Sequence, residues 1–203
     1  MFVTFEGPEG AGKSTVVREI ADRIQALGLK CVVTREPGGG QIGPKIRQIL
    51  LEGTSISPLT ELFLFLADRS EHVNSVIRPA LEGNNVVLCD RFADSTVVYQ
   101  GYGRGIEIER LKELNQLACD GLRPDLVLLL DLPVEIGLSR IDSKDRLDRE
   151  PIEFHQRVRQ GFLKEAEQDP LRWHVIDARN EPDEVAKNCW KIINERLAVP
   201  KSQ

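Results

Sequence analysis

The sequence predicts an α/β domain: a five-stranded parallel sheet with helices on both faces. Three observations carry that prediction. Five short apolar runs rich in β-branched residues recur along the 203 residues, separated by helical patterns. Two of them, VVLC (86–89) and LVLLL (126–130), are continuous rather than alternating, as strands covered on both faces are. Strands that alternate with helices require right-handed crossovers, and these produce parallel pairing.

Taken in order, Phe2–Phe5 is the first strand, and Val16, Ile20, Ile24 and Leu27 repeat at helical spacing until Gly28 stops the helix. Cys31–Thr34 is the second strand. It runs into TREPGGGQIG (34–43), whose four glycines predict a working loop. Ser57-Pro58 reads as an N-cap followed by proline at the first helical position, opening a long helical segment towards Leu81. After VVLC, the leucines at 111, 114 and 117 mark a helix that Gly121 and Pro124 end. LVLLL is the fourth strand. The stretch 139–150, SRIDSKDRLDRE, packs three arginines among acids with almost no apolar anchor, which predicts a mobile lid. Phe154, Val158 and Phe162 mark the next helix, and His174–Ile176 the last strand. Pro182 opens a closing helix with Val185, Cys189 and Ile193 on one face. No repeat or linker interrupts this rhythm, so residues 1–203 read as one domain.

Composition excludes several classes. Hydrophobic residues make up 41% and aromatics 5%, so the core is aliphatic. Lys and Arg number 27 against 32 Asp and Glu, a formal charge of −5, which argues against a nucleic-acid coat protein. An anionic ligand must therefore be held by a local basic cluster against the overall field. No apolar run approaches the ~20 residues of a membrane span. The opening MFVTFEGPEG has no basic region and does not resemble a signal peptide. Cys31, Cys89, Cys119 and Cys189 form no CxxC pair and no metal-ligand spacing, so they read as free thiols of a reducing cytoplasm.

The strongest chemical signal is Gly7-Pro8-Glu9-Gly10-Ala11-Gly12-Lys13-Ser14, a complete GxxxxGK[ST] between the first strand and the first helix. Its glycines let backbone N–H groups turn inward around phosphate oxygens, and the helix N-terminus adds partial positive charge. Lys13 can reach the β- and γ-phosphates, and the Ser14 hydroxyl can ligate Mg²⁺. This pattern binds a nucleoside triphosphate. The third strand ends in Asp90-Arg91, which puts a candidate Mg²⁺ ligand and a candidate phosphate fork at the carboxyl edge of the sheet. There is no NKxD-type guanine signature. Phe65 and Arg69 are four residues apart and share a helix face, as a base-stacking ring and a base-reading guanidinium would. Arg140, Arg146 and Arg149 are candidates to put positive charge over the migrating phosphoryl group, because the phosphate loop itself has no arginine. A phosphate-monoester acceptor is already mostly ionised near neutral pH, so no strong general base is required. His72, His155 and His174 have no sequence partners and read as structural or surface residues.

The set GPEGAGKS, TREPGGG, FLADR, CDRF, DSTVVYQGYGRG and LDRE, in this order and spacing, resembles the bacterial thymidylate kinases over nearly the whole chain. The resemblance implies a P-loop NTPase fold and transfer of the γ-phosphate of ATP to dTMP with Mg²⁺, on the route to dTTP. It also implies a cytoplasmic homodimer that uses neither nucleic acid nor membrane. Carried over by position, Gly7 to Ser14 hold the ATP phosphates, with Arg140 beside them. Phe65 stacks on thymine, Arg69 donates to its O4, and Arg91 binds the dTMP phosphate. Ser95, Thr96 and Gln100 line the base pocket, Tyr99 crowds the 2′ position, and Glu36 and Pro37 flank the sugar. Arg146 and Arg149 are the lid arginines, and either of them can be the one that approaches the γ-phosphate. Two other readings stand beside this one: another nucleotide or deoxynucleoside kinase, and a P-loop switch that binds nucleotide without turnover.

Overall fold

A computed structural model describes residues 1–52 and 55–198. Five strands, β1 (Phe2–Glu6), β2 (Cys31–Arg35), β3 (Val86–Asp90), β4 (Leu126–Asp131) and β5 (Trp173–Asp177), form one sheet in the order β2-β3-β1-β4-β5. Every pairing is parallel; Val3 lies opposite Leu88 on one side and Leu126 on the other. This is the α/β architecture of the P-loop NTPases. The five predicted strands are all present, each extended at its carboxyl end by a charged residue: Glu6, Arg35, Asp90, Asp131 and Asp177.

The strand period of two explains how both faces are filled. Val3, Phe5, Leu88, Leu128 and Leu130 pack towards α1 (Lys13–Ala26) and α9 (Pro182–Ala198). Their neighbours Val127 and Leu129 face Phe154, Val158 and Phe162 of α8 (Ile152–Gln168). Phe2, Val87 and Cys89 meet Val73, Ile77 and Phe92. The core is aliphatic with a few phenylalanines, and the four cysteines are free thiols, three of them buried.

Ser57 caps α3 (Pro58–His72) as its sequence implies, its hydroxyl accepting from the Thr60 N–H at 3.2 Å. The helical path runs on through a widened π-turn at Val73–Ile77 into α4 (Arg78–Glu82). The wider turn comes just ahead of Pro79, where an ordinary helix would set the proline ring against the Ser75 carbonyl. Helix α6 spans Ile108–Ala118.

Three helices have no counterpart in the sequence-based expectation. The chain forms α2 at Gly43–Glu52, where Ile46 and Leu50 are buried one turn apart. It forms α5 at Ala93–Thr96, which continues as a second π-helical stretch, Val97–Gly103. It also forms α7, Val134–Ser139. Among the described residues, no helix is long and apolar enough to cross a membrane. The stretch 139–150 does have an apolar anchor: Leu147 is buried with Phe65 and Tyr99 in the second core cluster.

Candidate active site

At the carboxyl edge of β1 the chain turns through Gly7–Gly12 into α1. Two of the loop glycines are forced by close approach. A Cβ on Gly7 would lie 2.3 Å from the Leu130 carbonyl oxygen, and one on Gly10 would lie 2.0 Å from that of Gly137. Gly12 instead has open space and is needed for its φ of +82°, the left-handed residue that starts α1. The Lys13 ammonium folds back over this loop and donates to the carbonyls of Gly7 (3.1 Å) and Pro8 (2.9 Å). Burial pulls its pKa down to about 8, Arg91 adding to the fall while Glu9 and Asp90 oppose it. Ser14 Oγ donates to Asp90 Oδ2 at 2.7 Å. These two oxygens, side by side at the mouth of the loop, fit Mg²⁺, which takes few protein ligands and completes its shell with water and phosphate.

Beside the loop, a groove lined by Glu9 to Thr15, Arg35, Glu36, Arg47, Asp90 and Arg91 continues into a second cavity. That cavity is walled by Pro37, Phe65, Arg69, Phe92, Tyr99 and Gln100, with Leu51, Ser95, Thr96, Asp145 and Leu147 also in the lining. Glu9, Glu36, Arg47 and Arg91 belong to both and mark where the two spaces meet. Arg91 occupies this junction with φ of +67°, a sparsely populated conformation for a side-chain-bearing residue. Its guanidinium donates to Glu9 (2.7 Å) and to the Gly7 carbonyl (2.9 Å), and it lies 5.0 Å from the Tyr99 ring centre. The Tyr99 hydroxyl donates to the other Glu9 oxygen. Burial pushes the Glu9 carboxyl upward, but Arg91 and Lys13 outweigh it and hold it below the usual carboxylate range. Behind the junction Glu6 is fully buried, accepting from Phe92 N–H (2.9 Å) and Ser95 Oγ (2.5 Å). Desolvation, with Asp94 nearby, raises its pKa to about 8.

A sequence model of the thymidylate kinase family matches residues 5–189. The thymidylate kinase of Synechococcus sp. (strain JA-2-3B'a(2-13)) is 50% identical over 199 residues, covering 98% of this chain and 97% of that protein. The thymidylate kinase of Desulfovibrio desulfuricans is also 50% identical, over 97% of this chain and 96% of its own length. The chain belongs to the thymidylate kinase family. A crystal structure of the thymidylate kinase from Ehrlichia chaffeensis superposes with a TM-score of 0.82 at 35% identity, over 95% of this chain and 98% of that one.

Within this thymidylate kinase fold the sequence-predicted residues separate into three groups. Gly7 to Ser14, Asp90 and Arg91 gather at the loop, and Glu36, Pro37, Phe65, Ser95, Thr96, Tyr99 and Gln100 gather round the second cavity. Phe63, two residues from Phe65, is 54% exposed instead. Arg69 also lines the cavity, but four of its five N–H groups are bonded within the protein. It donates to Glu36 through Nε (2.9 Å), to Thr96 and Asn115 through Nη1 (2.9 and 2.7 Å) and to the Phe92 carbonyl through Nη2 (3.1 Å), and Nη2 also forms an ion pair with Glu36 at 2.8 Å. Any donation to a base must be shared with these acceptors.

The lid arginines diverge. Of the two arginines that could approach the γ-phosphate, Arg146 donates to the Leu50 carbonyl (2.7 Å) and to Glu61 (2.6 Å). A buried carboxylate outcompetes open solvent for that guanidinium, so Arg146 ties the lid to α2 and α3. Arg140 donates to the Ala178 carbonyl at 3.2 Å, just past β5. Arg149 is exposed. Sequence reasoning missed Arg47, which donates to the Pro37 carbonyl at 2.9 Å and faces both spaces, and Arg35 beside it. The Ile46–Leu50 spacing was the available signal, because it makes a helix that presents Arg47. Gly137, which allows α7 to touch the phosphate loop, had no sequence signal at all. Two of the three histidines are buried, and His72 bridges Glu36 (2.9 Å) and Thr34 (2.6 Å).

Proposed function

We propose that this chain transfers the γ-phosphate of ATP to dTMP, forming dTDP and ADP, and that the residues described above carry the reaction. The observation that carries this reading is the meeting of two spaces at Arg47 and Arg91. One is floored by a phosphate loop, the other walled by Phe65, Tyr99 and Gln100. Phosphoryl transfer is mainly positioning and charge stabilisation, so bringing donor and acceptor phosphates to one junction that carries Arg47 and Arg91 supplies most of what is needed. Gly7 to Ser14 wrap the β- and γ-phosphates, with Lys13 supplying charge. Ser14 and Asp90 would hold Mg²⁺, which when bound neutralises the phosphate oxygens. Arg47 and Arg91 take the acceptor phosphate, Phe65 stacks on the base, and Tyr99 closes the sugar side. Arg149 is the lid arginine free to reach the transferring group, and Arg140 flanks the nucleotide of ATP. Residues 1–203 act as one catalytic domain whose lid, about 139–150, closes over the site.

Two copies pair through the apolar surface of α3, where Leu59 and Phe63 are each more than half exposed. The compartment is the cytoplasm, where four free thiols stay reduced.

The test is Mg²⁺·ATP consumption, followed as ADP release, against dTMP, dUMP, CMP, AMP, GMP and thymidine. Turnover of dTMP with dUMP trailing and the rest idle is expected; ATP binding without any turnover would overturn the reading in favour of a switch. Light scattering of the same preparation should give twice the 22.8 kDa chain mass.

A further inference from the structure

We propose that Glu61 sets the base specificity of the acceptor cavity by fixing the amide of Gln100, an inference that rests on the pyrimidine-monophosphate reading above. Gln100 is buried and lines the cavity, and its Nε2 donates to Glu61 Oε1 at 2.8 Å. Its Oε1, equally buried, has no hydrogen-bond partner in the protein.

A primary amide has a donor end and an acceptor end of nearly the same shape, so it faces a ligand in one sense only if a neighbour tells the two apart. Glu61 does so. It is buried on α3 and receives Arg104 through two nitrogens at 3.2 Å and Arg146 at 2.6 Å, besides Gln100. Burial alone would push its carboxyl upward, but these hydrogen bonds outweigh it and hold the group below the usual carboxylate range. A carboxylate accepts and cannot donate. Gln100 must therefore give its NH₂ to Glu61, which leaves the carbonyl for the ligand.

That leftover acceptor distinguishes two kinds of pyrimidine. Thymine and uracil carry an imide N3–H, which can donate to Oε1. Cytosine has a lone pair at N3, which would face Oε1 as acceptor against acceptor. Four N–H groups of Arg69 are hydrogen-bonded within the protein, and its Nη2 also pairs with Glu36, so imide reading falls chiefly to Gln100. Glu61 does not line the cavity; it is a positioning residue acting through Gln100.

The test compares kcat/KM for dTMP, dUMP and dCMP in the wild type and in Glu61→Gln, whose amide can either accept or donate. For an acceptor too slow to follow, its competitive Ki against dTMP replaces kcat/KM. The dTMP-over-dCMP preference should fall about tenfold, the worth of one hydrogen bond. The dTMP-over-dUMP preference and the KM for ATP should stay within about twofold, since both bases present the same imide edge. Glu61→Asp keeps the charge for Arg104 and Arg146 while withdrawing from Gln100, so it gives the same readout if the amide variant does not fold. In a Gln100→Ala background, Glu61→Gln should change the dCMP preference no further. An unchanged dCMP preference in both Glu61 variants overturns the proposal. So does an equal fall in both preferences, or an effect that persists in the Gln100→Ala background. A wild type inert towards every pyrimidine monophosphate overturns the acceptor assignment itself, and this inference with it.

Discussion

Arg69 is sealed from water, at 1% exposure, with four of its N–H groups hydrogen-bonded to protein acceptors and its Nη2 paired with Glu36. Its first role is therefore to hold α3, the Glu36 loop, Thr96 on α5 and Asn115 on α6 in register around the cavity. Breaking a buried pair by removing one partner leaves the other uncompensated, at a cost of about 3–5 kcal/mol. Arg69→Met should lower the unfolding free energy in urea by that order, whereas Met at the exposed Arg149 should stay within about 0.5 kcal/mol. Equal, small effects for the two substitutions would mean that Arg69 contacts substrate and little else. Its spacing from Phe65 was legible in the sequence, because both lie on one helix face. Its partners were not, because they come from positions 36, 92, 96 and 115.

At the scale of elements, α7 and the phosphate loop touch backbone to backbone. A Cβ at Gly137 would lie 2.2 Å from the Glu9 carbonyl oxygen, so α7 can approach only because that position is glycine. Gly137→Ala should push α7 off the loop, costing about 1–3 kcal/mol of stability as overpacking does. The same displacement should lower kcat/KM for ATP on the order of a hundredfold, the penalty of a misplaced loop. Paired denaturation and initial-rate measurements check this, and an unchanged ATP dependence would show that the loop tolerates the shift. The π-helical stretch 97–103 teaches the same lesson. Its sequence, VVYQGYG, has β-branched residues and two glycines that disfavour an ordinary helix. The glycines instead let it pack against neighbours: a Cβ on Gly101 would meet Ile108, and one on Gly103 the Phe154 ring. That packing delivers Tyr99 and Gln100 to the cavity. The lid likewise read as unanchored because one leucine among charges gives no period, yet Leu147 docks into the second core cluster.

For the whole molecule, the buried Glu6 makes stability depend on pH. Desolvation raises its pKa from 4.5 to about 8, with Asp94 adding to the rise. The folded state thus holds a proton that the unfolded chain releases, so the contribution is full below about 4.5 and is lost as pH rises towards about 8. Glu6→Gln keeps an acceptor for the Phe92 N–H and carries no charge. Its thermal midpoint, compared with the wild type, should rise steadily as pH goes from about 5 to about 8. A difference that is flat over that range would show that Glu6 is ionised throughout.

By itself the sequence determined the five strands, the phosphate loop and the strand-end pair Asp90-Arg91. Each is written locally, in a run of apolar residues, a glycine spacing or a neighbouring pair, and a parallel sheet brings strand ends to one edge whatever the helices do. Only the tertiary structure decided which arginines line the two spaces and which are turned to protein acceptors. It turned Arg146 to Glu61, tied Arg69 to Glu36, Phe92, Thr96 and Asn115, and brought Arg47 to the junction on a helix the pattern did not reveal. A guanidinium is held by the charge-assisted hydrogen bonds it can make, and for Arg69 and Arg146 those acceptors come from residues tens of positions away in the chain.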